Sequence, residues 1–234
     1  MQSHGHQELQ WLLDWLHGWL PGGCGVAAAA VIARAAGEFA DEEQLIANAV
    51  DKRRREFRAG RAAARQALAA IGCAPVPILA RAQRDPIWPP GCVGSITHSG
   101  RFALAITAPT SLLQAVGVDL EDDSALEPGL ARMVCSAEEM AQQAQLAALG
   151  IDLAKLCFVA KEAAFKAIFP RQRRMLEFQQ LRIAFAARQG SFRVCQSEAA
   201  EPGYRPVAGN GAFICQAPFL AAAFVTQATL TQAP

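Results

Sequence analysis

"CVGSITHSGRFALAITAPTSLLQAVGVDLE", residues Cys92 to Glu121, sets the fold class. β-Branched and apolar residues gather around Val93 to Thr97 and again around Phe102 to Thr107, with the turn sequence "HSGR" between them, which predicts two short strands. Val116 to Glu121 reads as a further strand, and "APTSLLQ", residues 108 to 114, as a seam between two parts of the chain.

Helical sequence flanks this stretch on both sides. Periodicity from Asp41 to about Ile71 predicts a helix with Gly60 as its break. "CAPVPIL" and "RDPIWPPG" read as extended segment and loop, because proline disfavours helix at its own position and at the one before. Helices are expected over Ala137–Leu149 and Leu153–Ile168, then two hairpins over Leu181–Val194 and Phe213–Val225. Trp11, Trp15 and Trp19 recur every four residues, the spacing of one helix face, and are expected to pack in the core or between lobes. The class is α+β, with an N-terminal lobe over residues 1–112 and a C-terminal lobe over 113–234.

At 52% hydrophobic and 18% charged residues, the 234-residue chain has the composition of a soluble globular protein with a sizeable core. A net charge of +1 predicts no general attraction to nucleic acid or membrane, so electrostatic function must be local. Seven cysteines, odd in number and without metal-binding spacing, read as reduced thiols of a cytoplasmic protein. The first twenty residues lack a basic region and carry Glu8 and Asp14, which argues against a secretory leader. His4 and His6 are expected to belong to a terminus and not to a metal site.

Four clusters carry chemistry. In a strand, Asp119 and Glu121 of "VGVDLE" share one face. At about 6 Å and an effective dielectric of 20, their repulsion is roughly 2–3 kcal/mol, which water or a hard cation such as Mg2+ would relieve. In "FVAKEAAFKAIF", Glu162 and Lys166 lie four residues apart on one helix face beside an apolar stripe of Phe158, Phe165 and Phe169. Such a pair is worth only about 0.3–0.5 kcal/mol on a surface, so metal and phosphate contacts compete with a merely solvated face. "DKRRREFRAGRAAAR" places Arg54, Arg58, Arg61 and Arg65 in a stripe that suits a polyanion, since arginine donates paired hydrogen bonds to phosphate. Ser95, Thr97, His98 and Ser99 gather at a strand-to-turn junction where a phosphate would find donors.

The order of these clusters resembles the 4'-phosphopantetheinyl transferase superfamily, in particular the branch typified by the enterobactin-synthetase component. Its two signature blocks, G-[IV]-D-x-E and [FWC]-x-x-K-E-[AS]-x-x-K, are matched by Gly117–Glu121 and Phe158–Lys166. The resemblance implies two similarly folded lobes related by a pseudo-twofold, with the active site between them, in a monomer. It also implies transfer of phosphopantetheine from coenzyme A to a serine of an apo acyl or peptidyl carrier protein. By that likeness Asp119, Glu121 and Glu162 hold Mg2+; Arg53, Arg61, Thr97, His98 and Lys166 contact coenzyme A; and Glu162, Lys166 and His98 serve catalysis. Where relatives often carry a coenzyme-binding lysine this chain has Ala80, leaving Arg81 or Arg84 as the substitute. Lys161 receives no catalytic role. A non-catalytic module that binds coenzyme A or a carrier protein would keep the arginines without needing three carboxylates and Lys166.

Overall fold

The structure, a computed structural model, describes residues 8–32, 37–196 and 208–227. His4 and His6 lie outside the described residues. The chain divides after Val116 into two compact units, the second running from Gly117 to Thr226.

In the first unit, helix α1 (Gln10–Trp19) precedes strand β1 (Gly25–Ala30), short helix α2 (Ala40–Leu45) and the 20-residue α3 (Asp51–Ala70). Strands β2 (Cys92–Ser99) and β3 (Phe102–Pro109) follow. The sheet has the order β1-β3-β2 and is antiparallel throughout, with Ala28 opposite Leu104 and Thr97 also opposite Leu104 from the other side. Leu9, Leu12, Leu13, Leu16 and Leu20 form the buried stripe of α1 and its ends. The three tryptophans are only half-buried, and Trp15 stacks on Trp19, so the leucines and not the tryptophans supply the core face.

One expectation for this unit is corrected, and one strand was not anticipated. The predicted break at Gly60 falls instead at residues 46–50, between α2 and α3, while Gly60 stays helical beneath Ile96, whose Cγ2 a Cβ would approach to 2.9 Å. Strand β1 has no strand signature, because "GVAAAA" is poor in β-branched residues. Its small side chains have a steric reason: a Cβ at Gly25 would come within 1.9 Å of the Ala67 carbonyl oxygen, so α3 lies directly against this strand. Buried Ala59, Ala63, Ala64 and Ala67 give α3 the flat face that close approach requires.

Strand β4 (Leu113–Asp122) runs through the division after Val116. Helices α4 (Pro128–Val134), α5 (Ala137–Met140) and α6 (Gln143–Ala147) lead to the 20-residue α7 (Leu153–Gln172). The helix expected over 137–149 is thus two short ones. Strands β5 (Leu181–Ala186), β6 (Ser191–Gln196), β7 (Asn210–Gln216) and β8 (Phe219–Gln227) complete a sheet ordered β4-β8-β7-β6-β5, and the two expected hairpins are present. Each unit is therefore a sheet packed with helices, an α+β architecture.

Helix α7 starts where the Asp152 carboxylate accepts the Lys155 amide at 2.7 Å, and ends at Arg173 in the left-handed conformation. Ala160, Ala163, Ala164 and Ala167 line its buried face, and a Cβ at Gly117 would meet the Ala163 carbonyl oxygen at 1.8 Å. Of the phenylalanines expected to form its apolar stripe, Phe169 is buried and Phe158 and Phe165 are half-buried, so small residues carry most of the contact.

Candidate active site

In the second unit, β4 and α7 bring the two carboxylate motifs together. Asp119 is 4% exposed, and the Lys166 ammonium donates to its Oδ1 at 2.6 Å and to the Val118 carbonyl at 3.3 Å. The close approach at Gly117, two residues before Asp119, lets helix and strand lie near enough for that contact. Burial pushes the Glu162 carboxyl above the usual carboxylate range; the negative charge of Asp119 adds to the shift and Lys166 opposes it. Glu121 is raised for the same reasons, burial first and Asp119 second, with Lys155 the leading opposing charge. Asp119 thus acts on both glutamates, and the three form one electrostatic cluster.

Lys155, which the motifs did not single out, lies 3.4 Å from Asp122 Oδ1 and 3.9 Å from Glu121 Oε2, with its side chain 8% exposed. A signal was present in the sequence: Lys155, Glu162 and Lys166 fall at i, i+7 and i+11, one stripe of a helix.

Among the described residues, no three His, Cys, Asp or Glu side chains are arranged to hold a metal ion. The chemistry of the donors nonetheless suits one. Asp119, Glu121 and Glu162 offer only oxygen, and burial together with the charge of Asp119 raises the pKa of both glutamates, a deficit of positive charge that a hard cation would fill.

In the first unit, Arg53 Nη1 lies 3.1 Å from His98 Nε2, and Glu56 Oε2 is 3.9 Å from the same nitrogen. A guanidinium can only donate, so in this contact Nε2 is the acceptor. His98 and Thr97 are successive strand residues and point to opposite faces; Thr97 is 4% exposed. The structure therefore joins His98 to Arg53 and Glu56, and Thr97 is buried on the other face of the strand.

The arginine stripe of α3 is engaged internally. Arg54 donates to the Ala49 and Ala47 carbonyls, Arg58 to Glu43, and Arg65 to Glu42 at 2.7 Å. Arg61 is 5% exposed, donates its Nε to the Ile78 carbonyl at 2.6 Å and lies 4.4 Å above the Phe57 ring. Burial lowers its pKa to about 10, so it remains charged at neutral pH. Members of the stripe thus hold the α2–α3 corner and the segment after α3. Arg81 and Arg84 are both exposed; Arg81 is held by Asp85 at 2.7 Å, and Arg84 has a positive φ of 68°.

The fold and these residues agree with the comparisons. Residues 41–108 match the 4'-phosphopantetheinyl transferase N-terminal domain, and residues 115–208 match the 4'-phosphopantetheinyl transferase superfamily. The chain belongs to the 4'-phosphopantetheinyl transferase superfamily. It is 38% identical over 150 residues to the 4'-phosphopantetheinyl transferase Npt of Nocardia iowensis, covering 64% of this chain and 67% of that one. To the 4'-phosphopantetheinyl transferase PptT of Mycobacterium tuberculosis it is 36% identical over 145 residues, covering 62% and 64%. Enterobactin synthase component D of Salmonella typhi is 39% identical over 125 residues, 51% of this chain and 50% of its own length. The matched stretches thus span two thirds or less of these relatives. No helix among the described residues is long and apolar enough to cross a membrane.

Proposed function

We propose that the chain transfers the 4'-phosphopantetheine group of coenzyme A to a serine of an apo acyl or peptidyl carrier protein, as the enterobactin-synthetase-component branch of the family does. The observation that carries this reading is the 2.6 Å contact between Lys166 and Asp119, which joins two motifs 47 residues apart in sequence.

In this reading the serine oxygen attacks the β-phosphorus of the coenzyme A pyrophosphate. The bond to the bridging oxygen breaks, and adenosine 3',5'-bisphosphate leaves. Catalysis of such a transfer rests on positioning and charge stabilisation, with no enzyme nucleophile. Glu162 is the candidate to take the serine proton, directly or through a metal-bound water, because it lies in the same charged cluster as Asp119 and Lys166. Lys166 moves from Asp119 to the phosphoryl oxygens, and His98 contacts the same group. Arg53 and Arg61 hold the 3'-phosphate end, with Arg81 or Arg84 in the place of the missing lysine and Thr97 as a further coenzyme contact. Asp119, Glu121 and Glu162 would hold Mg2+, which neutralises pyrophosphate charge when bound. Seven free thiols support a reducing, cytoplasmic setting, and the family likeness supports a monomer.

Intact-mass spectrometry tests this reading. Incubation with coenzyme A, Mg2+ and an apo carrier protein should add one phosphopantetheine to the carrier. No mass gain across a panel of apo carriers would overturn it.

A further inference from the structure

Lys161 lies inside the signature block yet has no part in the chemistry above. Its side chain is 1% exposed, among the largest of the fully buried side chains of the described residues. Its ammonium donates to the Val134 carbonyl at 2.6 Å, to Glu139 Oε2 at 2.7 Å and to the Phe178 carbonyl at 2.9 Å. An ammonium has three protons, and these contacts match them in number. Glu139, itself fully buried, also accepts the Ser136 amide at 2.8 Å and the Ile183 amide at 2.7 Å. One ion pair therefore ties the middle of α7 to the end of α4, the start of α5, the turn before β5, and β5 itself.

This arrangement is poorly explained as a source of stability. Burying two charges costs several kcal/mol per ion, and well-packed apolar residues of similar volume often do as well or better. What the pair fixes is direction. Three acceptors on three segments define where the Lys161 side chain sits, and so the rotation and depth of α7. Glu162 follows at 100° around the helix, and Lys166 follows it by a further 40°. Their approach to Asp119 on β4 depends on that rotation. A helix turned by 20° would move a side-chain tip at about 6–7 Å from the axis by roughly 2 Å, enough to break the 2.6 Å contact.

We propose that Lys161, through Glu139, is a positioning residue that sets the rotation of α7 and thereby the aim of Glu162 and Lys166. The inference rests on the transferase reading, because it assigns those two residues their task. Lys161 touches neither substrate nor metal in this account.

The test uses the full chain and three variants: Glu139→Gln, Lys161→Gln and the neutral pair Lys161→Met with Glu139→Gln. Melting curves identify the folded variants, and steady-state transfer to an apo carrier gives kcat and KM for coenzyme A. Among folded variants kcat should fall progressively in that order, by on the order of tenfold to a hundredfold in the double variant, as expected for misplacement of about an ångström. KM for coenzyme A should change less than kcat, within about threefold, since Arg53 and Arg61 at the 3'-phosphate end are untouched and only the reacting end is mis-aimed. A folded double variant, or folded Lys161→Gln, with wild-type kcat overturns the proposal, and so does failure of all three to fold, which would make the pair a folding element alone. Absence of transfer by the wild type is a different result, which removes the transferase reading itself.

Discussion

The two long helices, α3 and α7, repeat one another in construction and differ in what they present. Each has 20 residues and lies so close to a strand that a glycine is required, Gly25 against Ala67 in the first unit and Gly117 against Ala163 in the second. Each carries a buried cation paired with a buried carboxylate from a preceding short helix. In the first unit Arg65 meets Glu42, which also accepts the Ile78 amide at 2.7 Å; in the second Lys161 meets Glu139, which also accepts the Ile183 amide. The sequence shows no repeat at this level because the equivalent cation is arginine in one unit and lysine in the other, at different spacings. The difference lies in the other charges. Four arginines of α3 are bound to partners that hold the first unit's own corner, whereas on α7 Lys155 and Lys166 reach the β4 carboxylates Asp122 and Asp119, with Glu162 in the same electrostatic cluster. The lesson is that the same scaffold can hold its charges for architecture or leave them for chemistry.

The strongest break in this comparison is expected at Asp119, which has no counterpart in the first unit's set of buried pairs. Asp119→Ala should lower transfer by about a thousandfold, since metal stabilisation of transition-state charge is worth several kcal/mol. Carrier mass spectra over time measure it, and a wild-type rate would remove Asp119 from the site. Next come the paired cations. Arg65→Met and Lys161→Met each leave a buried carboxylate without its main counter-charge and should each cost about 3–5 kcal/mol in urea unfolding. A loss below about 1 kcal/mol in either would end the structural equivalence.

The glycines sharpen the comparison. Gly25→Ala and Gly117→Ala both drive a methyl into a backbone carbonyl and should destabilise by about 1–3 kcal/mol. Only Gly117→Ala should also lower kcat of the remaining folded protein, because it pushes α7 away from Asp119. Equal kcat effects would deny the division of labour between the helices. The smallest effect belongs to Glu43, whose carboxyl is held below its usual range chiefly by hydrogen bonding to Arg58. Its stabilisation is present above the ordinary glutamate pKa and is lost as pH falls through the depressed folded value. Glu43→Gln should therefore cost at most about 0.5 kcal/mol at neutral pH, because the pair is solvent-screened. The difference from wild type should vanish at low pH in unfolding curves; a difference that grows on acidification would reverse the assignment.

Much of the fold was legible where side-chain pattern and burial coincide. The strands around Ser95, Ala105 and Val118 and the hairpins of the second unit follow from runs of apolar and β-branched residues between turns. Strand β1 was hidden because its alanines answer to the closeness of α3, not to strand propensity. The tryptophans of α1 misled for a related reason: periodicity gives a helix face, but the neighbouring leucines fill the space the core offers. In the candidate site, Asp119, Glu162 and Lys166 were visible through their motifs, whereas Lys155 and Glu56 needed the fold to bring them beside Glu121 and His98.

By itself, then, the sequence determined the α+β class, the family and the charged residues available for chemistry, because residue type and local spacing carry that information. Only the tertiary structure decided which charges are held inside. Whether Arg61, Arg65 or Lys161 faces solvent or a buried acceptor depends on segments far away in sequence, at Ile78, Glu42, Val134 and Phe178. No local pattern records those partners, since burial of a charge is determined by what the whole chain brings around it.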